Sequence, residues 1–320
     1  MAILPDVICP KCTQVVVSRP YTPPAKRPQS IEDCLRVCER CDWGFSNRAT
    51  KDVAELAILY RHPFAGIPPH IWSGHEQIFG SAINEHARHK KKARLSSSNS
   101  EDHVTYTVFH HLQLRGALRS CLSRAGIRLV APAPQEPTLL LWGAPLPTTD
   151  QNGQELHADL METLKRIGEH PNRLSEPDVM LDFGEAGLIV IEVKLHSPND
   201  QQEANARWDK YLSNASLLTP AFKDVHAARK SGCYELVRNW RIGCGLARDR
   251  AFALINLIPN RLLQDRSNRR HVEQFVQSIA EQQNRIFVEL TWERFIDTID
   301  SPEEWFKDYC RERLRYVIHT

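Results

Sequence analysis

One stretch restricts the fold of this chain more than any other: "SEPDVMLDFGEAGLIVIEVKLHSPND", Ser175 to Asp200. It contains two apolar runs, "DVMLDF" and "GLIVIEVKL", joined by "GEAG". Gly184 and Gly187 supply the backbone freedom of a tight turn, so the spacing predicts a β-hairpin. Glu192 and Lys194 interrupt the second run. A charged pair inside a buried strand is costly unless something holds it there.

A turn centred on Glu185 pairs Asp178 with Glu192 across the hairpin, with Cβ atoms about 5 Å apart on one face. Lys194 lies two residues beyond Glu192 and emerges on that same face. Ile189, Ile191, Val193 and Leu195 fall on the other face, as core packing requires. Two carboxylates so close repel unless a cation lies between them or one stays protonated. A divalent ion removes the conflict, and oxygen ligands with open positions for water suit Mg²⁺. A lysine beside such an ion can orient a water molecule. The plainer alternative is a structural ion pair of Glu192 with Lys194 or a neighbour.

Pro177–Asp178 followed by Glu192–Val193–Lys194 resembles the PD-(D/E)XK nuclease superfamily, the restriction-endonuclease-like fold, over roughly residues 100–260. The resemblance implies an α/β fold: a restriction-endonuclease-like core with a mixed central sheet flanked by helices. Its order is a helix, a strand meander, a helix and another strand. It also implies metal-dependent phosphodiester hydrolysis. Asp178, Glu192 and the carbonyl of Val193 would hold Mg²⁺ or Mn²⁺, and Lys194 would position the attacking water. Many members add a glutamate from the first core helix, and the matching position is Glu101. A simple helix-start acid is the alternative there, Glu162 is a rival, and Glu176 is a further acid beside Pro177. Some members carry a polar residue on the helix after the lysine strand. Asn199, Asp200, Gln201 and Gln202 are the candidates. The long insertion containing "QELHADLMETLKRIGEH" departs from a minimal core.

Five of the nine cysteines fall before residue 42. "CPKC" (Cys9, Cys12) and "CERC" (Cys38, Cys41) offer four thiolates, the tetrahedral set of a structural Zn²⁺. Cys34 is left over; it could replace Cys38, although CxxC geometry favours Cys38. Residues 1–50 are accordingly expected to form a small zinc ribbon, made basic by Lys11, Arg19, Lys26, Arg27, Arg36, Arg40 and Arg48. Tyr21, Trp43 and Phe45 could stack on bases or pack around the metal. Residues 51–99 read as a loop-rich, basic connector, in which Asn47 or Thr50 caps a short helix ending before Pro63. It finishes in "HARHKKKAR", which could neutralise phosphates or form a solvated linker. His86 and His89, with His75 or His70, are better explained by chance than as a second metal site.

Residues 100–320 read as the nuclease-like domain. Ser100 caps a helix of about six turns that Gly126 stops. "IRLVA" and "TLLLWGAP" follow as strands, and "QELHADLMETLKRIGEH" as a helix. Beyond the hairpin, helices at "ANARWDKYLSNA", "SGCYELVRNWRIGCGLA", "RRHVEQFVQSIAEQQ" and "PEEWFKDYCRERLRYV" interleave with strands "AFALINLIP" and "RIFVELTW". A length of 320 residues suits about two domains. The net charge of +2 says little about partners. There is no run of about 18 apolar residues, so no membrane span is expected. "MAILPDVICPKC" lacks the layout of a secretory signal, so a cytoplasmic, reducing setting is expected. No phosphate-binding glycine loop and no GxSxG elbow is present. The function expected is a Mg²⁺-dependent endonuclease acting on DNA, in restriction, phage defence or repair. Cutting both strands would call for a homodimer or a protein partner. The alternative is a catalytically silent nucleic-acid-binding or adaptor protein that retains the fold.

Overall fold

The computed structural model describes residues 1–76, 78, 94–127, 135–146, 151–170, 176–199, 208–215, 217, 220–280 and 284–314. The expected strand "IRLVA" beyond Ile127, the basic run before Arg94 with His86 and His89, and Asp200, Gln201 and Gln202 lie outside the described residues. The strands are β1 (Val7–Ile8), β2 (Val15–Val16), β3 (Arg36–Cys38), β4 (Trp43–Phe45), β5 (Ile58–Tyr60), β6 (Thr138–Leu141), β7 (Ala144–Pro145), β8 (Val179–Asp182), β9 (Leu188–Val193), β10 (Phe252–Ile258) and β11 (Arg285–Thr291). The helices are α1 (Glu101–Leu114), α2 (Leu118–Arg124), α3 (Gln151–Ile167), α4 (Trp208–Leu212), α5 (Val225–Lys230), α6 (Tyr234–Ala247), α7 (Asn260–Leu263), α8 (Arg266–Ser278), α9 (Trp292–Asp297) and α10 (Glu304–Arg313).

Six strands form one mixed sheet in the order β11-β10-β9-β8-β6-β7. β9, β10 and β11 run parallel, while β8, β6 and β7 are antiparallel additions. A parallel neighbour requires a crossover, and helices supply both: α4 to α6 between β9 and β10, α7 and α8 between β10 and β11. Helices therefore cover both faces, which is why all six residues of β9 are buried. On one face Ile189, Ile191 and Val193 join a core with Phe109, Leu112 and Phe295. On the other, Leu188 and Val190 join Leu160, Trp240 and Phe275.

The hairpin forms in the expected register, with Val179 opposite Ile191 and Asp182 opposite Leu188. Its turn is a single 3-10 turn, Gly184–Ala186, closed by Gly187 at φ +134°. A Cβ on Gly187 would lie 2.5 Å from the Ala251 carbonyl oxygen, so glycine alone fits.

Three local expectations are corrected. The long helix after Ser100 is two helices, because Gly116 takes φ +60° between α1 and α2. Ser100 does cap α1, accepting from the His103 amide at 3.2 Å. "TLLLWGAP" is the hairpin of β6 and β7, turning at Trp142 and Gly143, both with positive φ. The short helix capped by Asn47 or Thr50 is replaced by a 3-10 turn capped by Asp52 and by β5, which pairs with β4. Ile58, Leu59 and Tyr60 are strand formers, and pairing beats a helix too short to nucleate. Asn47 is occupied elsewhere: it accepts from the Leu35 amide at 2.8 Å.

β3, β4 and β5 form the sheet of the N-terminal module, and residue Ser97 bridges back to Leu59. Arg36 is fully buried at its centre and donates to the carbonyls of Pro5, Ser46, Arg48 and Thr50. The module docks on α10, where the Arg313 guanidinium lies 3.6 Å from the Tyr60 ring centroid. No helix among the described residues is long and apolar enough to cross a membrane.

Two predictions follow from packing. A Cβ at Gly243 on α6 would lie 2.0 Å from Cζ of Phe252, the buried first residue of β10. Gly243→Ala is expected to cost about 1–3 kcal/mol in urea unfolding; an unchanged midpoint would refute this packing. His103 on α1 is buried, bonded through Nδ1 to Tyr309 Oη at 2.9 Å and through Nε2 to the Pro63 carbonyl at 2.9 Å. Nε2 must donate to that carbonyl, since a carbonyl oxygen only accepts. Burial, with Arg313 nearby, holds its pKa well below the ordinary 6.5. Its NMR ring shifts should stay flat from pH 7.5 to 5.5. The unfolded chain binds the proton first, so His103 withdraws stability as pH falls below about 6.5, by up to about 1.4 kcal/mol per unit.

Candidate functional site

At the end of β9 the sequence places charge where the sheet is otherwise apolar. The hairpin register extends to put Asp178 opposite Glu192, and Lys194 follows on that face. Lys194 Nζ lies 2.7 Å from Glu192 Oε1 and 2.5 Å from Glu235 Oε2. Glu192 Oε2 accepts from Asn239 Nδ2 at 2.6 Å, and Arg238 approaches the same oxygen at 3.7 Å. Asp178 Oδ2 accepts from the Val193 amide at 2.9 Å. Glu101 Oε1 accepts from the Leu195 amide at 2.9 Å, which brings the start of α1 to the end of β9. Asp178, Glu192, Lys194, Glu101 and Glu235 all line one cavity of about 490 Å³.

The backbone beneath these groups is fixed from several sides. Trp292 Nε1 donates to the Lys194 carbonyl at 3.1 Å, and Arg261 donates to the Leu195 carbonyl at 2.8 Å. Lys194 N donates to Leu257 O on β10 at 2.9 Å. Asn256, the β10 partner of Glu192, exchanges side-chain hydrogen bonds with Asn199 at 3.1 Å.

Burial sets the electrostatics. Glu192 is 1% exposed and Lys194 7%. Burial pushes the Glu192 carboxyl up to about 8; Lys194 opposes this, and Glu235 and Asp178 add to it. Burial alone would lower Lys194, but the carboxylates around it, Glu192 first, hold it well above its ordinary value. Glu101 is raised, chiefly by burial. Burial would raise Glu235 as well, yet Lys194 and Arg238 bring it below the usual range. The lysine therefore stays charged, and the carboxylates compete for it.

The other sequence candidates fall elsewhere. Glu162 is on the surface of α3, paired with Arg166. Asn199 is buried, bonded to Asn256, and does not line that cavity. Sequence reasoning missed Glu235, Arg238 and Asn239. Their signal was present in "YELVRNW": three polar residues at helical spacing among Leu236, Val237 and Trp240, all buried.

The N-terminal thiols make a second centre. Cys9, Cys12, Cys38 and Cys41 place their sulfur atoms within 4.8 Å of one another, compatible with a structural zinc. Among the described residues this is the one such group of His, Cys, Asp or Glu ligand atoms. The cavity carboxylates do not form such a group. The Gln14 amide draws Cys12 down to about 7, whereas burial raises Cys38 and Cys41. Cys34 stands outside the set, buried against Gly44 and Ile31, with its pKa pushed up to about 12 by burial. Trp43 and Phe45 pack around the thiols rather than presenting faces to solvent. Several basic residues of the module are likewise committed. Arg19 donates to the Glu32 and Cys34 carbonyls, Arg48 to the Glu55 carbonyl, and Lys11 pairs with Glu312.

Comparison with protein-family models, curated proteins and solved structures found no match. The purified chain is expected to carry about one equivalent of zinc, lost in Cys9→Ser and kept in Cys34→Ser. Metal analysis with zinc absent, or equal zinc in both variants, would overturn the four-thiol site.

Proposed function

We propose that this chain is a metal-dependent nuclease of the PD-(D/E)XK type, with a restriction-endonuclease-like core and an N-terminal zinc ribbon, hydrolysing phosphodiester bonds in DNA. The order of elements supports this: α1, the antiparallel meander β6-β8-β9, the helix α6, and then β10 parallel to β9. The observation that carries the proposal is the meeting of Asp178, Glu192, Lys194 and Glu101 in one cavity at the end of that meander.

The donor set suits a hard divalent cation. Asp178 and Glu192 offer carboxylate oxygens. The Val193 amide points at Asp178, and the strand's alternation turns the Val193 carbonyl to that same side. These three would hold Mg²⁺ or Mn²⁺. Burial keeps the Glu192 carboxyl raised even with Lys194 and Arg238 beside it. When bound, the ion supplies Lewis-acid stabilisation of charge developing on the phosphoryl oxygens.

The chain's own groups do the positioning. Glu235 also binds Lys194, so the ammonium would keep one anchor with Glu192 engaged by a cation. Lys194 has three N–H donors and can direct one at a water beside the phosphate. Asn239 fixes the second oxygen of Glu192. Glu101 holds the backbone at Leu195 and adds negative charge beside Lys194.

Plasmid and linear DNA incubated with the protein should be cleaved in Mg²⁺ or Mn²⁺ and left intact without them. Lys194→Ala and Asp178→Asn should each lower the rate by at least about 100-fold. Binding without cleavage in either metal would replace the enzyme with a silent nucleic-acid-binding protein on the same fold.

A further inference from the structure

We propose that the N-terminal module is the second wall of the catalytic cleft, and that Arg27 and Arg94 bind the phosphates of a single DNA strand held over the carboxylates. The placement of that strand rests on the nuclease reading above. The cavity that contains Glu192 and Lys194 is walled on its far side by Arg27, Gln29 and Ser46 of the module, and by Arg94 and Asn99 of the segment leading into α1. The site is therefore a slot between two parts of the chain, not an open face of the sheet.

Charge points to the occupant. Five acidic residues line the cavity: Glu101, Asp102, Asp178, Glu192 and Glu235. Lys194 is already shared between Glu192 and Glu235. The two guanidiniums of the far wall are exposed, and neither pairs with a carboxylate among the described residues. Their neighbour Arg61 shows the contrast, since it is held by Glu32 and Asp42. A polyanion entering the slot meets its free positive charge on this wall, and its phosphates are then presented to the opposite side.

Both arginines stand on anchored backbone. Asn47 Nδ2 donates to the Lys26 carbonyl at 2.9 Å, and Asp33 accepts from the Gln29 amide at 3.0 Å, so Arg27 is pinned on both sides. Pro28 beside it is buried. The Arg94 carbonyl accepts from Ser97 N at 2.9 Å, and Ser98 N donates to the Ile58 carbonyl on β5 at 2.7 Å. Side chains raised on fixed backbone lose less entropy when they grip a ligand.

Size selects the strand. A cavity near 490 Å³ is in the range of small-ligand pockets and has room for roughly one or two nucleotides of a single strand. Two phosphate contacts, with specificity left to other groups, suit sequence-tolerant binding of a single strand.

The test is fluorescence anisotropy with a labelled oligo(dT) and with a hairpin duplex of equal length, in buffer free of Mg²⁺ and Mn²⁺. Binding should favour the single strand. Arg27→Ala and Arg94→Ala should each weaken it several-fold and flatten the slope of log K against log salt by about 0.7. Arg40→Ala, exposed and away from the cavity, should leave both unchanged, and Arg27→Lys should recover most of the affinity. Zinc content and unfolding midpoint check that each variant folds. Unchanged slopes in both alanine variants, or tighter binding of the duplex, would overturn the proposal. Binding is read without cleavage, so the two ideas fail separately. A protein that grips the strand through both arginines but never cuts it keeps this proposal and loses the nuclease.

Discussion

The ammonium of Lys194, buried between Glu192 and Glu235, is the contact on which the rest of the site depends. Neither carboxylate would be tolerated beside the other in a sheet so thoroughly covered without a positive charge between them. The requirement propagates outward. Glu235 can reach Lys194 only if α6 lies against β9, and Leu236, Val237 and Trp240 hold it there by burying their apolar side chains. Glu192 keeps its second oxygen bonded only because Asn239 is one turn further along that helix. Packing and electrostatics thus specify the same placement of α6. The cost of burying Glu192 and Lys194 is offset by their ion pairs and hydrogen bonds rather than by exposure to water.

The hairpin and its charges were legible because they are local. Alternation assigns faces, glycines locate the turn, and the register follows from the turn. The longer helices and the strands that follow were legible for the same reason, each carrying its own periodicity, but the short helices α5, α7 and α9 were not. Glu235 and Asn239 were not, although the helix bearing them was. Their contact with Glu192 spans more than forty residues of chain, and nothing in a helical pattern says which polar residue turns inward. The break at Gly116 was hidden because apolar spacing continues on both sides of it. At Ile58–Tyr60 a strand was missed because its partner, β4, is three residues long and carries little signal of its own.

Composition says less at the N-terminal module. Its basic residues count alike in a sequence, but the fold sorts them by role. Arg36 is interior, satisfying four carbonyls of loops that have no sheet partner. A guanidinium suits this task because its donors lie in one plane and diverge. Arg19 and Arg48 do similar work nearer the surface. What remains for an external anion is a smaller set, and its position relative to the carboxylates carries more information than its number.

The mixed sheet explains why chemistry gathers at this end of it. β9 and β10 are parallel and finish together, so their carboxyl ends open toward one crevice, as in other sheets with crossover helices. β8 runs the opposite way and begins there, which delivers Asp178 from the start of one strand to Glu192 at the end of another. An all-parallel sheet would have sent those two residues to opposite ends. The chain leaving β9 must then turn without disturbing Glu192. Asn256 on β10 makes that turn rigid by bonding Asn199, whose amide in turn donates to Asn268 on α8. These three buried asparagines are bonded to one another and to nearby backbone. They hold the exit of β9 in place, and with it the backbone from which Lys194 points into the cavity.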